Sequence, residues 1–284
     1  MNKVGVFGGT FNPIHLGHIN SMLTVKDELK LDFVKVIPTT ETPLKSKIEG
    51  ATPVQRYEMA KLGVIHYDDI LLVDDVELKR GGVSYTVDTL KALNSENQEL
   101  YLIIGLDQFL NFEMWKEYKE ILACAHLVVT SRPGCEMPLL LEDLPMGVQE
   151  ITESFDGKMA LLKTGFSIYF IQLDDVEISS EEIRKKLRKG HNVSKYILPE
   201  VEDYIKQNKL FYSVGDKVGD YRTLTDFVAQ CLFDRKAARI KGFDLRELDT
   251  ISEYSIIASG TSTRHAVALS EISIENVKEE FGIY

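Results

Sequence analysis

The sequence has few cysteines and no long apolar run. Its three cysteines are widely spaced and form no Cys-x-x-Cys pair, which argues against a disulfide framework or a zinc ribbon and fits a reducing compartment. A bilayer span needs roughly 18 to 20 consecutive apolar residues. No segment approaches that length, and the first residues lead into a short strand instead of a secretory signal. We therefore expect a cytoplasmic protein that makes no membrane contact.

Positive charge is also scarce, with 33 Lys+Arg against 44 Asp+Glu and a formal net charge of −11. Binding to bulk nucleic acid needs excess basic side chains that displace counterions, so we expect no direct nucleic-acid partner. The other fractions are those of an ordinary globular protein, with 44% hydrophobic and 27% charged residues. A chain of 284 residues is long enough for more than one core.

Short apolar runs alternate with amphipathic segments along most of the chain, a pattern typical of a parallel sheet covered by helices. We predict an α/β sandwich with strands at residues 3–7, 32–37, 70–73, 99–104, 126–130 and 167–173. Helices are predicted to start at Asn12-Pro13 and Thr52-Pro53, where an N-cap precedes a proline, and also near residues 180 and 199. Residues 132–163 are rich in proline and glycine and are predicted to be irregular, as an excursion over the sheet.

A small, polar stretch with two glycines, residues 213–219, separates the first part of the chain from the last. We place a domain boundary near residues 212–220, between a domain of residues 1–212 and a module of residues 213–284. The module is predicted to contain a helix at 223–233, a strand at 253–258 and a helix at 264–280. Acidic residues outnumber basic residues in both parts, so neither part is a basic nucleic-acid module.

The first strand runs into a glycine-rich segment with two histidines, GGTFNPIHLGH at residues 8–18. Glycines let a backbone approach a ligand closely, and a helix N-terminus presents free N–H groups, so we expect an anion here. His15 and His18 are predicted to share a helix face that Gly17 keeps open, which would offer two imidazole donors to a phosphate chain. The spacing fits neither GxGxxG nor a P-loop. Two ordinary helix histidines, or a zinc pair lacking an evident third ligand, remain alternatives.

The same segment resembles the signature of the nucleotidylyltransferase superfamily, and within it of bacterial nicotinate mononucleotide adenylyltransferases. The resemblance extends over residues 1 to about 212 and includes SYTVDTL at 84–90, the Gly105-Leu106-Asp107 segment with Trp115, SRPG at 131–134, and the Ile178-Ser179-Ser180 segment with Ile183-Arg184. Two positions depart from the family pattern: Leu44 replaces a histidine before Lys45, and Glu181 replaces a threonine.

This resemblance implies a Rossmann-like three-layer sandwich that transfers an adenylyl group from ATP to nicotinate mononucleotide, with Mg²⁺ carried on the phosphates. It implies that His15 and His18 are the catalytic residues. The implied ATP-binding residues are Gly8, Gly9, Thr10, Phe11, His15, His18, Lys45, Gly105, Asp107, Ser179, Ser180, Ile183 and Arg184. The implied mononucleotide-binding residues are Thr39, Ser84, Tyr85, Thr86, Trp115 and Arg132.

Alternatives remain for several of these residues and for the acceptor. Trp115 could be a core residue, Lys45 a solvated lysine, Arg184 a helix-surface arginine and Asp107 an N-cap. The alternative function is that of a related adenylyltransferase whose acceptor is phosphopantetheine or nicotinamide mononucleotide. We expect Ser84 to cap a helix whose first N–H groups bind the nicotinate carboxylate, because such a site offers donors only.

The last part of the chain contains ISEYSIIASGTSTRH at residues 251–265, where a strand meets a helix through a Gly/Ser/Thr turn. Alone, that turn predicts either an N-capped helix or a phosphate cradle. The segment resembles the start of the ribosomal silencing factor (Iojap-like) family, which implies contact with the large ribosomal subunit. That family continues into further strands, so we expect a partial module that is completed by another chain or by another part of this one, or else is a relic. Homo-oligomerisation stays open.

Overall fold

The computed structural model describes residues 1–43, 50–131, 136–173, 178–189, 191–211, 221–246 and 252–281. The chain divides into two compact units: Met1–Lys186 with Asn192–Gln207, and Leu187–His191 with Asn208–Tyr284. The predicted boundary near residues 212–220 lies outside the described residues, so the domain limits stay a prediction. No helix in the described ranges combines the length and apolar character needed to cross a membrane.

An eight-stranded sheet forms the centre of the first unit, in the order β3-β2-β1-β4-β5-β8-β7-β6. The strands are β1 (Asn2–Gly9), β2 (Phe33–Pro38), β3 (Leu71–Val73), β4 (Gln98–Gly105), β5 (His126–Ser131), β6 (Thr152–Phe155), β7 (Met159–Leu162) and β8 (Ser167–Gln172). The first five strands and β8 pair in parallel, which confirms the predicted parallel sheet.

Helices cover this sheet. In chain order they are α1 (Leu16–Leu29), α2 (Pro53–Gly63), α3 (Val76–Arg80), α4 (Thr86–Leu93), α5 (Leu106–Phe109), α6 (Tyr118–Ile121), α7 (Met146–Gln149), α8 (Ser180–Arg188) and α9 (Pro199–Gln207). Val4 and Val6 of β1 pack in a core with Leu90 of α4. Val34 of β2, which is in register with Gly5 of β1 and so lies on the other face of the sheet, is also fully buried. Burial on both faces is typical of parallel sheets, and each such side chain stabilises the fold by about 1.5–3 kcal/mol.

The predicted start of α2 is confirmed. The Thr52 hydroxyl accepts a hydrogen bond from the Gln55 N–H at 3.3 Å, and the Gln55 side chain accepts one from the Thr52 N–H at 2.9 Å. Pro53 is the first helical residue. These contacts form the reciprocal capping box that the sequence predicts.

The predicted start of α1 at Pro13 is wrong, because the helix begins at Leu16 with His15 as its N-cap. The Asn12 side chain accepts a hydrogen bond from the Ala51 N–H at 3.3 Å instead of capping a helix. Ile14 is buried, and His15 is still extended at φ −148° and ψ 167°. Burial of Ile14 and the Asn12 contact therefore delay the helix by three residues.

Residues 136–163 are more regular than the sequence predicts. Strands β6 and β7 pair antiparallel, and β7 pairs antiparallel with β8, so this hairpin extends the sheet. Asp156 Oδ1 accepts hydrogen bonds from the N–H groups of Lys158 and Met159, and Gly157 adopts φ +84°. The Asp-Gly pair between two short strands was the available signal for this turn.

The second unit contains α10 (Tyr221–Asp234), β9 (Ala238–Asp244), β10 (Tyr254–Ser259) and α11 (Thr263–Phe281). The predicted helix, strand and helix are confirmed within two residues. The two strands pair antiparallel, with Ile257 opposite Lys241. Strand β9 was not predicted because its residues are mostly exposed and alternate poorly between apolar and polar types.

Candidate active site

A cavity of about 430 Å³ lies at the carboxyl ends of β1 and β2. Strand β1 pairs with β2 on one side and β4 on the other, so the chain changes direction across the sheet at this point. Open α/β sheets bind ligands in the crevice outside such a switch point. The cavity floor consists of apolar side chains from the sheet and from α6, namely Val6, Ile37, Leu102, Ile104 and Ile121.

Some of the predicted site residues line this cavity and others do not. Those that line it are Gly8, Gly9, Thr10, Thr39, Ser84, Tyr85, Thr86 and Trp115. Lys45 and Arg132 lie outside the described residues, as does Leu44. The cavity wall also contains Thr89 of the SYTVDTL segment, as well as Glu77 and Lys116, which lie outside the sequence motifs. Of these, Lys116 had one available signal, its position next to Trp115.

His15 and His18 lie against each other at the start of α1, with ring centroids 3.6 Å apart and planes inclined by 30°. His18 Nδ1 accepts a hydrogen bond from the His15 backbone N–H at 3.2 Å, so the neutral His18 ring carries its proton on Nε2. A Cβ at Gly17 would lie 3.1 Å from His15 Nδ1, closer than most real contacts. Glycine at this position therefore permits the paired arrangement of the two imidazoles.

The ring of Phe11 packs beside His18. It is buried and lies 5.2 Å from the His18 ring in an edge-on arrangement. Phe11 has φ +48°, and a Cβ at Gly9 would come within 3.0 Å of its ring. Glycine at the end of β1 thus lets the Phe11 ring pack closely against the strand.

The start of α8 docks on the segment before α1. Ser180 Oγ donates a hydrogen bond to the Pro13 carbonyl at 2.9 Å, and Arg184 Nη1 donates one to the Asn12 carbonyl at 2.8 Å. Ile178 and Ile183 are buried, while the Ser179 hydroxyl accepts from the Glu182 N–H and caps the helix. The structure therefore brings the predicted residues of 178–184 next to the two histidines.

Gly105 and Asp107 lie at the other side of the switch point, where β4 leads into α5. Gly105 is the N-cap of α5, and the exposed Asp107 is in its first turn, so the alternative that Asp107 caps a helix is wrong. A Cβ at Gly105 would lie 2.5 Å from Asp107 Oδ1. Glycine here makes room for the carboxylate.

The prediction that Ser84 caps a helix is also wrong. Helix α4 begins at Thr86 with Tyr85 as its N-cap. The Ser84 hydroxyl accepts a hydrogen bond from the Thr40 N–H at 3.2 Å and so ties the loop after β2 to the start of α4. The first backbone amides of α4 still lie at the cavity, since both Tyr85 and Thr86 line it.

Arg56 of α2 holds the two loops that form the cavity rim, although no sequence pattern indicated it. Its side chain is completely buried. The guanidinium donates hydrogen bonds to the carbonyls of Thr10 at 2.8 Å, Thr39 at 2.5 Å and Thr40 at 2.9 Å. Burial lowers the pKa of Arg56 to about 10, and the nearby Glu77 carboxylate opposes part of that shift. Arg56 remains charged at neutral pH.

Trp115 is half-buried and contacts both the core and the cavity. The centroid of its ring lies 5.2 Å from that of Phe112, which belongs to the core. Trp115 also lines the cavity, as Tyr85 does. Trp115 is therefore only partly a core residue, and an exposed part of the indole is available to a flat ligand.

Comparisons with known proteins agree with this geometry. Residues 6–186 match the family model described as cytidylyltransferase-like, and residues 220–284 match that described as ribosomal silencing factor during starvation. A probable nicotinate-nucleotide adenylyltransferase of Desulfatibacillum aliphaticivorans is 37% identical over 218 residues, covering 74% of this chain and 99% of the relative. That of Geobacter sulfurreducens is 36% identical, covering 75% and 100%.

The fold is similar to a solved structure, Plasmodium falciparum nicotinic acid mononucleotide adenylyltransferase complexed with NaAD. That similarity has a TM-score of 0.57 at 20% identity and covers 74% of this chain and 98% of that one. At this identity the likeness supports the fold, while the curated relatives, matched over nearly their whole length, decide the family. The chain belongs to the nicotinate-nucleotide adenylyltransferase family and carries, at residues 220–284, a segment similar to ribosomal silencing factors.

Proposed function

We propose that this chain transfers the adenylyl group of ATP to nicotinate mononucleotide, which yields nicotinate adenine dinucleotide and pyrophosphate. The observation that carries the proposal is the combination of two features beside the carboxyl end of β1. One is the pair of stacked imidazoles at the N-terminus of α1, and the other is a cavity with Trp115 and the start of α4 in its wall.

The cavity suits a flat, anionic pyridine ring. Trp115 and Tyr85 offer aromatic surfaces, and the backbone amides at the start of α4 offer donors together with the positive end of the helix dipole. A carboxylate can accept from several donors at once. An amide would turn its own NH₂ toward them and leave hydrogen bonds unmade, at about 1–3 kcal/mol each.

The triphosphate would lie along the glycine-rich end of β1 and the residue that follows it. Gly8, Gly9 and Thr10 line the crevice there, and His18 would donate from Nε2 to a phosphate oxygen. Ser180 and Arg184 dock beside the same segment. We assign Lys45 to the outer phosphates and Asp107 to the ribose, as the family resemblance implies.

The reaction needs positioning more than it needs a protein nucleophile. The phosphate of the mononucleotide attacks the α-phosphorus of ATP, and pyrophosphate leaves. His15, His18 and the first amides of α1 would stabilise the charge that develops on the α-phosphate oxygens in the transition state.

Mg²⁺ bound to the triphosphate would neutralise part of its negative charge. The residues around the glycine-rich end of β1 supply imidazoles, amides and a guanidinium. The described residues contain no cluster of three or more His, Cys, Asp or Glu suited to a metal. That donor set fits an ion carried by the nucleotide.

A comparison of the three acceptors tests the proposal. The purified chain is supplied with ATP, Mg²⁺ and, separately, nicotinate mononucleotide, nicotinamide mononucleotide or phosphopantetheine, while pyrophosphate release is measured. We expect kcat/KM for the acid mononucleotide to exceed that for the amide by on the order of 10²-fold. Better turnover of either other acceptor would contradict the assignment.

We propose ribosome binding as a second function, carried by residues 220–284. The support is the family match together with exposed apolar side chains on the two strands, Phe243 at 42% and Ile257 at 59% exposure. Co-sedimentation of the full chain with large ribosomal subunits tests this, with Ile257→Asp as the matched variant. Recovery of the chain only in the supernatant would contradict it. Both functions belong in the cytoplasm.

A further inference from the structure

The cavity has one charge of each sign among the described residues that line it. The anion is Glu77, which is buried in the wall. Its Oε1 accepts a hydrogen bond from Thr89 Oγ1 at 2.6 Å and lies 3.9 Å from Arg80 Nη2. The cation is Lys116, whose side chain is 41% exposed. Arg80 and the charged Arg56 lie near Glu77 and offset its charge, whereas Lys116 places a positive charge where the cavity opens to solvent.

Lys116 lies beside the groups that we assign to the pyridine ring. It follows Trp115 in the chain, and its Nζ is 4.4 Å from the centroid of the Tyr85 ring. Tyr85 is the N-cap of α4, so the ammonium lies close to the helix start whose amides face the cavity. A carboxylate bound at those amides would have Lys116 as its nearest cation among the described lining residues.

Lys116 forms a weak ion pair with Asp88. Nζ lies 3.3 Å from Asp88 Oδ2, and both side chains are more than one-third exposed. Exposed ion pairs of this kind contribute little to stability, and a lysine stem has several rotatable bonds. The ammonium can therefore turn from Asp88 toward a bound anion at small cost.

We infer that Lys116 is a specificity-determining residue whose ammonium pairs with the ring carboxylate of the acid mononucleotide. The inference rests on the proposed function and deepens it. The amide mononucleotide carries no charge at that position and would gain nothing from the pair.

Three variants test the assignment. Lys116→Gln removes the charge and Lys116→Arg keeps it. Lys119→Gln is the matched control, since Lys119 is 59% exposed, lies 3.9 Å from Glu150 and does not line the cavity. The measurements are kcat/KM for the acid and amide mononucleotides and the Kd of each. Trp115, the single tryptophan, reports binding through its fluorescence.

For Lys116→Gln we expect the acid-over-amide ratio of kcat/KM to fall about 3- to 10-fold, as for a partly exposed ion pair. The Kd of the acid should rise by a similar factor and that of the amide should stay within twofold. Lys116→Arg and Lys119→Gln should keep the wild-type ratio. Raised salt should narrow the ratio in the wild type more than in Lys116→Gln.

An unchanged acid-over-amide ratio in Lys116→Gln, or an equal loss of kcat/KM for both mononucleotides, would overturn the inference. If the wild type still preferred the acid, the proposed function would stand. A wild type that turned over neither mononucleotide, or preferred the amide, would instead overturn the proposed function and this inference with it.

Discussion

The two units of the chain contain strands of opposite character. In the first unit β5 is buried along its whole length, whereas in the second unit six of the seven residues of β9 are exposed. A strand buried on both faces gives the loops that follow it a rigid base, and the candidate site consists of such loops. The exposed strands of the second unit offer a surface instead. Rigid support favours chemistry, and an exposed sheet favours contact with a partner.

The largest effect should come from the imidazole pair, the chemical centre of the first unit. We predict that His18→Ala or His15→Ala lowers kcat by about 10²- to 10³-fold, the usual loss for one preorganised donor to a developing charge. Pyrophosphate release measures this, with circular dichroism as a check of folding. His66→Ala is the control, because His66 is exposed and pairs with Glu200. Near wild-type turnover in both variants would leave the helix-terminus mechanism without support.

A substitution at Arg56 tests whether its buried guanidinium stabilises the two loops at the cavity rim. We predict that Arg56→Met lowers the free energy of unfolding by about 2–4 kcal/mol, because three carbonyls lose a charged donor. The KM values for both substrates should rise together, since Thr10 and Thr39 are released at once. Urea denaturation and steady-state kinetics measure these effects.

Lys61→Met, on the same helix and half-exposed, should change the free energy of unfolding by less than about 0.5 kcal/mol. Equal stability of the two variants would show that the guanidinium does not support the loops.

A smaller effect concerns pH and a histidine at the far end of the sheet from the site. His126 is buried, donates from Nε2 to Glu99 Oε1 at 3.0 Å and accepts at Nδ1 from the Ser167 N–H at 3.0 Å. Burial lowers its pKa below the usual 6.5, although the hydrogen bond to Glu99 opposes the shift. The unfolded chain therefore binds more protons below pH 6.5 than the folded chain does.

We therefore predict that the free energy of unfolding falls as the pH drops from 7 toward 5.5, and that His126→Gln reduces this pH dependence. Urea midpoints at the two pH values measure it. The same slope in the wild type and the variant would exclude His126 as the cause.

The smallest effect should come from removal of the second part of the chain. We predict that truncation after Tyr212 changes kcat/KM by less than about twofold, because every residue assigned to adenylyl transfer precedes it. The measurement is pyrophosphate release by the purified, folded truncation. Loss of activity in a folded product would show that the catalytic unit depends on the second unit.

Sequence reasoning could predict features that depend on local pattern. The six parallel strands are short apolar runs, and the helix start at Thr52 is a local capping box. The spacing of His15 and His18 predicts a pair on one helix face, and the structure brings the two rings together.

Features that depend on distant partners could not be predicted in this way. Arg56 binds carbonyls 16 to 46 residues away, and no local spacing encodes such contacts. Ser84 was misplaced as a cap because its hydroxyl binds Thr40 across the cavity rim. The start of α1 depends on Ala51, a residue from another segment.

The guanidinium of Arg56 has a consequence for how the two substrates meet. One rigid, planar group holds the loop after β1, where the triphosphate is assigned, and the loop after β2, which borders the ring cavity. The separation of the two loops is therefore set before either substrate arrives. Less conformational entropy is lost when the substrates bind, so more of the binding free energy remains for bringing the attacking phosphate onto the α-phosphorus.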